Sequence, residues 1–134
     1  MTIPVVDLAD FVEGTSAQKS AFVQQLGKAY EDVGFVAVKN HGIPAELIAD
    51  LYKYVQEFFS LPSDKKRKFE DPALAGQRGY TSFGKEHAKG SDAPDLKEFF
   101  QYGQIVPQDH NLKSQYPDNV KVNEIGGFNE TLYA

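Results

Sequence analysis

The sequence predicts an α+β fold, with two main helices packed on a few strands. Three observations carry the prediction. Short runs of β-forming residues occur at positions 3–8, 35–38 and 96–102, widely separated along the chain. Two long segments between the first and the last of them repeat their apolar residues at helical spacing. Glycine and proline mark the junctions, so the elements are bounded and the connections between strands are long.

The first run, Ile3-Pro4-Val5-Val6-Asp7-Leu8, reads as a strand closed by Asp10 and later Gly14. Thr15 or Ser16 caps a helix running to about Val33. Along it Phe22, Leu26, Ala29 or Tyr30, and Val33 recur at i+3 and i+4 and make one apolar stripe. Gly34 ends that helix, because a residue without a Cβ adopts the left-handed capping conformation readily. Positions 35–38 form the second strand and Asn40-His41-Gly42 a turn. Pro44 suits the first turn of the next helix, where its missing N–H costs nothing. The apolar face of that helix is Leu47, Ile48, Leu51, Tyr54, Val55, Phe58 and Phe59, and Leu61-Pro62 breaks it.

Ser63 or Asp64 starts a short charged helix ending near Phe69. Its basic run, Lys65-Lys66-Arg67-Lys68, stands among Asp64, Glu70 and Asp71 and reads as a solvated helix face. Positions 71–94 read as a long ordered loop with extended pieces around 80–83. Positions 96–102 read as the third strand, with Phe100 and Tyr102 on one face and Phe99 on the other. Lys97 and Glu98 are adjacent there and so point to opposite faces; one reading has one of them facing a pocket, and the competing reading, which the residues favour, is an exposed ion pair. Positions 103–123 are irregular, and Gly126-Gly127 precedes the opening of another helix at 128–133.

At 134 residues the chain is one domain by length. Folding at this size buries roughly two-thirds of the unfolded surface, enough for one modest core. A net charge of −5 weighs against a nucleic-acid partner, which needs clustered lysine and arginine to neutralise phosphates. The absence of cysteine excludes disulfides, thiolate zinc sites and cysteine nucleophiles. The N-terminus shows no basic n-region or apolar h-region, and no apolar run approaches the roughly 20 residues that span a bilayer. The expectation is a cytoplasmic protein with no membrane partner. The stretches Gly84-Lys85-Glu86-His87 and Lys89-Gly90-Ser91 lack phosphate-loop spacing.

Three strands on long connections neither close a barrel nor make a two-sheet sandwich. Two readings remain. Either the sheet awaits strands from a C-terminal part beyond Ala134, or the three strands make a small sheet of their own under two helices.

Four segments in order carry a family signal: Ile3-Pro4-Val5-Val6-Asp7-Leu8; Gly34-Phe35-Val36-Ala37-Val38-Lys39-Asn40-His41-Gly42-Ile43; Arg78-Gly79-Tyr80-Thr81-Ser82-Phe83-Gly84-Lys85-Glu86; and Asp95-Leu96-Lys97-Glu98-Phe99-Phe100. Together they resemble the N-terminal region of the isopenicillin N synthase-like, 2-oxoglutarate-dependent Fe(II) oxygenases. The resemblance implies a single N-terminal oxygenase-type domain over residues 1–134, incomplete in itself, whose strands complete a jelly-roll (double-stranded β-helix) core supplied by a C-terminal part. That part, or self-association, is the implied partner.

In the resembled family Fe(II) is held by His-x-Asp and a distant histidine, which leave positions open for co-substrate and oxygen. Here His41, His87 and His110 are followed at +2 by Ile43, Lys89 and Leu112, and Arg67 and Arg78 lack the family's Arg-x-Ser pattern. No metal ligand and no catalytic residue is therefore assigned, and no cofactor is expected in this chain alone; Fe(II) and 2-oxoglutarate belong to the intact family. His41 is implied to hydrogen-bond locally and set the helix entry. Arg78, Tyr80, Ser82 and Phe83 are implied to line the pocket of a small organic substrate. Gly79 permits close approach, Arg78 offers a planar fork for a carboxylate, and Tyr80 a rigid ring with one hydroxyl. The competing reading is that these residues pin the long loop onto the sheet. On function, the competing reading is a non-catalytic binding or self-associating module that keeps the fold.

Overall fold

The computed structural model describes residues 2–87, 89, 90 and 93–134; Ser91, named above, lies outside the described residues. The chain divides into two compact units, Met1–Ala45 and Glu46–Ala134.

In the first unit β1 (Val5–Asp7) and β2 (Ala37–Lys39) pair in parallel, Val6 opposite Val38. A parallel pair needs a crossover, and α1 (Leu8–Val12) and α2 (Ser16–Asp32) supply it. The expected strand at 3–8 therefore stops one residue short of its predicted end, and a helix follows at once. Asp7 causes the switch: its carboxylate accepts from the Ala9 N–H at 3.0 Å and caps α1. The same carboxylate accepts from Asn40 Nδ2 at 2.8 and 2.9 Å and pairs with Lys39 at 3.2 Å. The Asn40 bond is the main reason that its pKa lies below the usual value.

Thr15 caps α2 through a reciprocal box with Gln18. Gly34 ends that helix as expected, at φ +81°, donating to the Ala29 and Tyr30 carbonyls. Among the described residues of this unit Val6, Phe22 and Ala29 are buried, and the Phe11 ring stands 5.3 Å from that of Phe22. His41 Nδ1 accepts from the Ile43 N–H at 3.1 Å, the local bond expected of it.

The second unit holds α3 (Ala45–Phe59, from Glu46 onward), α4 (Ser63–Lys66), β3 (Gly79–Thr81), β4 (Phe99–Gln101) and α5 (Phe128–Tyr133). β3 and β4 pair antiparallel, with Tyr80 opposite Phe100. Two separate ladders thus replace the single small sheet of three strands considered above. The extended piece around 80–83 is a true strand beginning at Gly79, and the run at 96–102 contributes only its central residues.

The core of this unit is built around Phe58, fully buried on the predicted face of α3. The rings of Phe59, Phe69, Tyr80, Phe100 and Phe128 stand 5.0–5.8 Å from it. Val122 and Ile125 fill the remaining space. Phe100 faces this core, and Phe99, on the other face, lies under the Lys97 ammonium at 5.4 Å.

The irregular stretch at 103–123 has no ladder to satisfy its backbone, and two asparagine amides take that role. Asn119 accepts from the Gly103 N–H at 2.8 Å and donates to the Gly103 carbonyl at 2.7 Å. Asn129 does the same for Val122, at 2.9 Å in each direction.

Phe58→Ala removes the ring on which five others pack and should lower unfolding free energy by about 3–5 kcal/mol. Leu96→Ala, at a site 91% exposed, should change it by less than ~0.5 kcal/mol. Urea denaturation of both variants checks the pair.

Candidate functional site

Pro62 opens α4, and Lys66 lies four residues beyond it and three before buried Phe69, which turns its side chain inward. Lys66 is only 5% exposed, so it is not part of the solvated face expected of the basic run. Its Nζ donates to Glu98 Oε2 at 2.7 Å, Glu98 Oε1 at 2.9 Å and the Phe59 carbonyl at 3.1 Å. All three ammonium protons are thereby used. The rings of Tyr80 and Phe59 flank the charge at 5.6 and 5.8 Å. The Tyr80 hydroxyl donates a short hydrogen bond to Glu98 Oε2.

Glu98 enters from just before β4. Burial raises its pKa, but the hydrogen bonds from Lys66 and Tyr80 outweigh that and hold the carboxyl below its usual range. Burial, and then the adjacent Glu98 charge, push the Tyr80 hydroxyl well above its ordinary value. The group is therefore Lys66⁺, Glu98⁻ and a neutral tyrosine donor. Lys97, on the opposite side as the alternation predicted, pairs in the open with Glu86 at 2.7 Å and Asp95 at 3.4 Å.

Beside this group lies a cleft of about 220 Å³, lined by Glu70, Asp71, Gly76, Tyr80, Thr81, Lys85 and Glu86 among others. Glu70 forms its wall by accepting the Ser82 N–H at 2.9 Å.

The four residues predicted to line a substrate pocket part company. The Tyr80 side chain sits in the aromatic core and touches the cleft; Ser82 is buried; Phe83 is exposed. Arg78 is half-buried, donates from Nη1 to the Gln77 carbonyl at 2.6 Å, and has a buried Nε without an acceptor among the described residues. Gly79 between them has φ +79°, and a Cβ there would meet the Phe69 carbonyl oxygen at 2.5 Å. Glycine is required there for both reasons.

The histidines are not assembled. The Nδ1 atoms of His41 and His110 accept from the Ile43 and Leu112 N–H groups, and His87 bridges to Pro94. Among the described residues no three His, Asp or Glu side chains are placed to hold a metal ion. The donor set on hand does not fit an iron centre, and no reaction step is derived through one. Sequence reasoning missed Lys66 as a buried group, although its i+3 spacing to Phe69 carried the signal.

A family model described as the non-haem dioxygenase in morphine synthesis N-terminal region matches residues 3–124, and the chain belongs to that family. Among relatives, a 2-oxoglutarate-dependent dioxygenase of Aspergillus rugulosus is 30% identical over 98% of this chain and 43% of its own length. A crystal structure of a 2OG-Fe(II) oxygenase family protein from Caulobacter crescentus superposes with a TM-score of 0.78 at 30% identity, over 98% of this chain and 42% of that one. A full-length Neurospora crassa protein crystallised in complex with alpha-KG matches at a TM-score of 0.73 and 26% identity, over 97% and 40%. The chain thus spans less than half the length of each.

Removing one partner of a buried ion pair leaves the other charge stranded, so Glu98→Gln should cost about 3 kcal/mol at neutral pH. Because the folded pKa of Glu98 is depressed, the stabilisation is present above the unfolded value and disappears as pH falls through the folded one. Melting temperatures of wild type and Glu98→Gln should therefore converge in acid; a gap independent of pH would contradict the ionised pair.

Proposed function

We propose that this chain is the N-terminal portion of a non-haem Fe(II)/2-oxoglutarate-dependent oxygenase acting in the cytoplasm on a small organic molecule, and that it has no turnover alone. Fe(II) and 2-oxoglutarate are held by a C-terminal catalytic part, whose strands complete a jelly-roll core. The observation that carries this reading is the match of an N-terminal oxygenase family model over residues 3–124, in a chain whose described residues bring no three His, Asp or Glu side chains together.

In the complete enzyme this chain supplies scaffold and part of the substrate pocket, from Arg78, Tyr80, Ser82 and Phe83. Arg78 is the member with charge to spare: among the described residues no carboxylate pairs with it. With Nε covered and one Nη1 proton given to Gln77, its free donors lie on the two Nη nitrogens. A substrate carboxylate meets it end-on, as a two-point contact.

The second reading is a self-associating module without catalysis, in which unpaired strand edges such as those of the two-stranded β3–β4 ladder take up a further strand. Sedimentation separates the two. A chain that associates with itself indefinitely when alone and forms a defined complex once a C-terminal oxygenase part is added supports the first, and a single well-behaved species that ignores such a part supports the second.

Anaerobic titration of the chain with Fe(II), with and without 2-oxoglutarate, is expected to show no saturable binding. Stoichiometric binding strengthened by 2-oxoglutarate would refute the proposal. In an enzyme completed by a C-terminal part, Arg78→Ala should raise KM for a carboxylate substrate by about 10- to 100-fold with little change in kcat, the loss of one charged hydrogen-bonded contact.

A further inference from the structure

Gly103, two residues past β4, has a backbone that any residue could adopt, so its lack of a side chain needs another explanation. A Cβ built on it would stand 2.1 Å from Arg78 Cζ and Nη2 and 2.5 Å from Nε. The guanidinium occupies the space a side chain would take. Gly103 itself is held from both sides by the Asn119 amide, at 2.8 and 2.7 Å. Arg78 Nε is buried there without an acceptor among the described residues. Its orientation is therefore set by packing against Gly103 more than by hydrogen bonding at that nitrogen.

We infer that Gly103 and Asn119 are positioning residues for Arg78. The amide fixes the Gly103 backbone, the bare Cα seats the guanidinium, and the seat fixes the direction of the two Nη nitrogens. A planar anion then meets a fork already oriented, with little side-chain entropy left to lose. The inference rests on the reading of Arg78 as a carboxylate contact, and it adds two residues that touch neither substrate nor metal. Gly103→Ala puts a methyl group where the guanidinium lies. The guanidinium is the end of a flexible side chain, so it yields before the backbone does.

The chain has two arginines, Arg67 and Arg78, so the Nε–H region of a ¹⁵N spectrum holds two side-chain signals, assigned by the loss of one in Arg78→Lys. In the wild-type chain the Arg78 Hε should exchange with water more slowly than that of exposed Arg67. Gly103→Ala should accelerate Arg78 Hε exchange by about tenfold, the size expected for loss of one local contact, and move its signal toward that of Arg67. The Tyr80 and Phe100 signals should stay in place. Asn119→Ala, which introduces no clash, should act in the same direction and decides the matter if Gly103→Ala does not fold. Gly126→Ala, at a glycine with open space around it, should leave Arg78 unchanged. Arg78 exchange that is the same in wild type, Gly103→Ala and Asn119→Ala would overturn the inference. Titration with acetate separates it from the reading beneath it. No acetate-dependent shift at Arg78 in the wild-type chain removes the carboxylate role, while a variant-dependent change in exchange still establishes the seat.

Discussion

Lys66 carries a charge into a space that has almost no water, and much of the second unit is arranged around that fact. An ammonium ion there without partners would cost several kcal/mol. The chain meets the demand with Glu98 from the approach to β4, the last-turn carbonyl of Phe59 from α3, and two aromatic faces. The partners come from three places in the fold: α3, β3 and the approach to β4. Seating one side chain therefore fixes where α3 ends, how α4 turns, and where the strand pair β3–β4 lies. Tyr80 belongs both to the Phe58 cluster and, through its hydroxyl, to Glu98. The polar centre and the apolar core share a ring, so neither can shift without the other.

That arrangement shapes what the cleft beside it can do. Tyr80 is a neutral donor already spent on Glu98, and Glu70 is spent on the Ser82 backbone. These bonds hold a wall of the cleft in place. Arg78 is different in kind: its charge has no counterion among the described residues, and it lies against backbone at Gln77 and Gly103. On the proposed reading, chemistry involving iron belongs to the portion of the longer relatives that this chain does not span.

Features governed by neighbours in sequence were legible from the string of residues alone. The Thr15 start of α2, the Gly34 stop, the His41 turn and the inward face of α3 through Phe58 all depend on residues within a turn or two. So did the family, because four ordered motifs survive as strings. What escaped depends on distant partners. α1 is five residues long, too short for a period to show, and its start is set by a single carboxylate at Asp7. β3 is a strand only because Phe99–Gln101 lies beside it. Lys66 looked like surface because its neighbours are charged, while the group that buries it lies 32 residues ahead. The space around Gly103 is equally invisible in a string of letters, since it is defined by the side chain of Arg78, far back along the chain.

The two asparagine clamps and the buried ion pair hold adjacent parts of one unit by different means. An amide bonded to backbone through both its oxygen and its nitrogen is uncharged and indifferent to pH and salt. The Lys66–Glu98 pair exists only while the carboxylate is ionised. Acid strong enough to protonate a carboxyl held below its usual range thus acts on this unit unevenly. The ionic tie between α4 and the approach to β4 is lost there, while the segment from Gly103 to Asn129 keeps its amide bonds. One unit therefore carries two kinds of tie, one that answers to protons and one that does not.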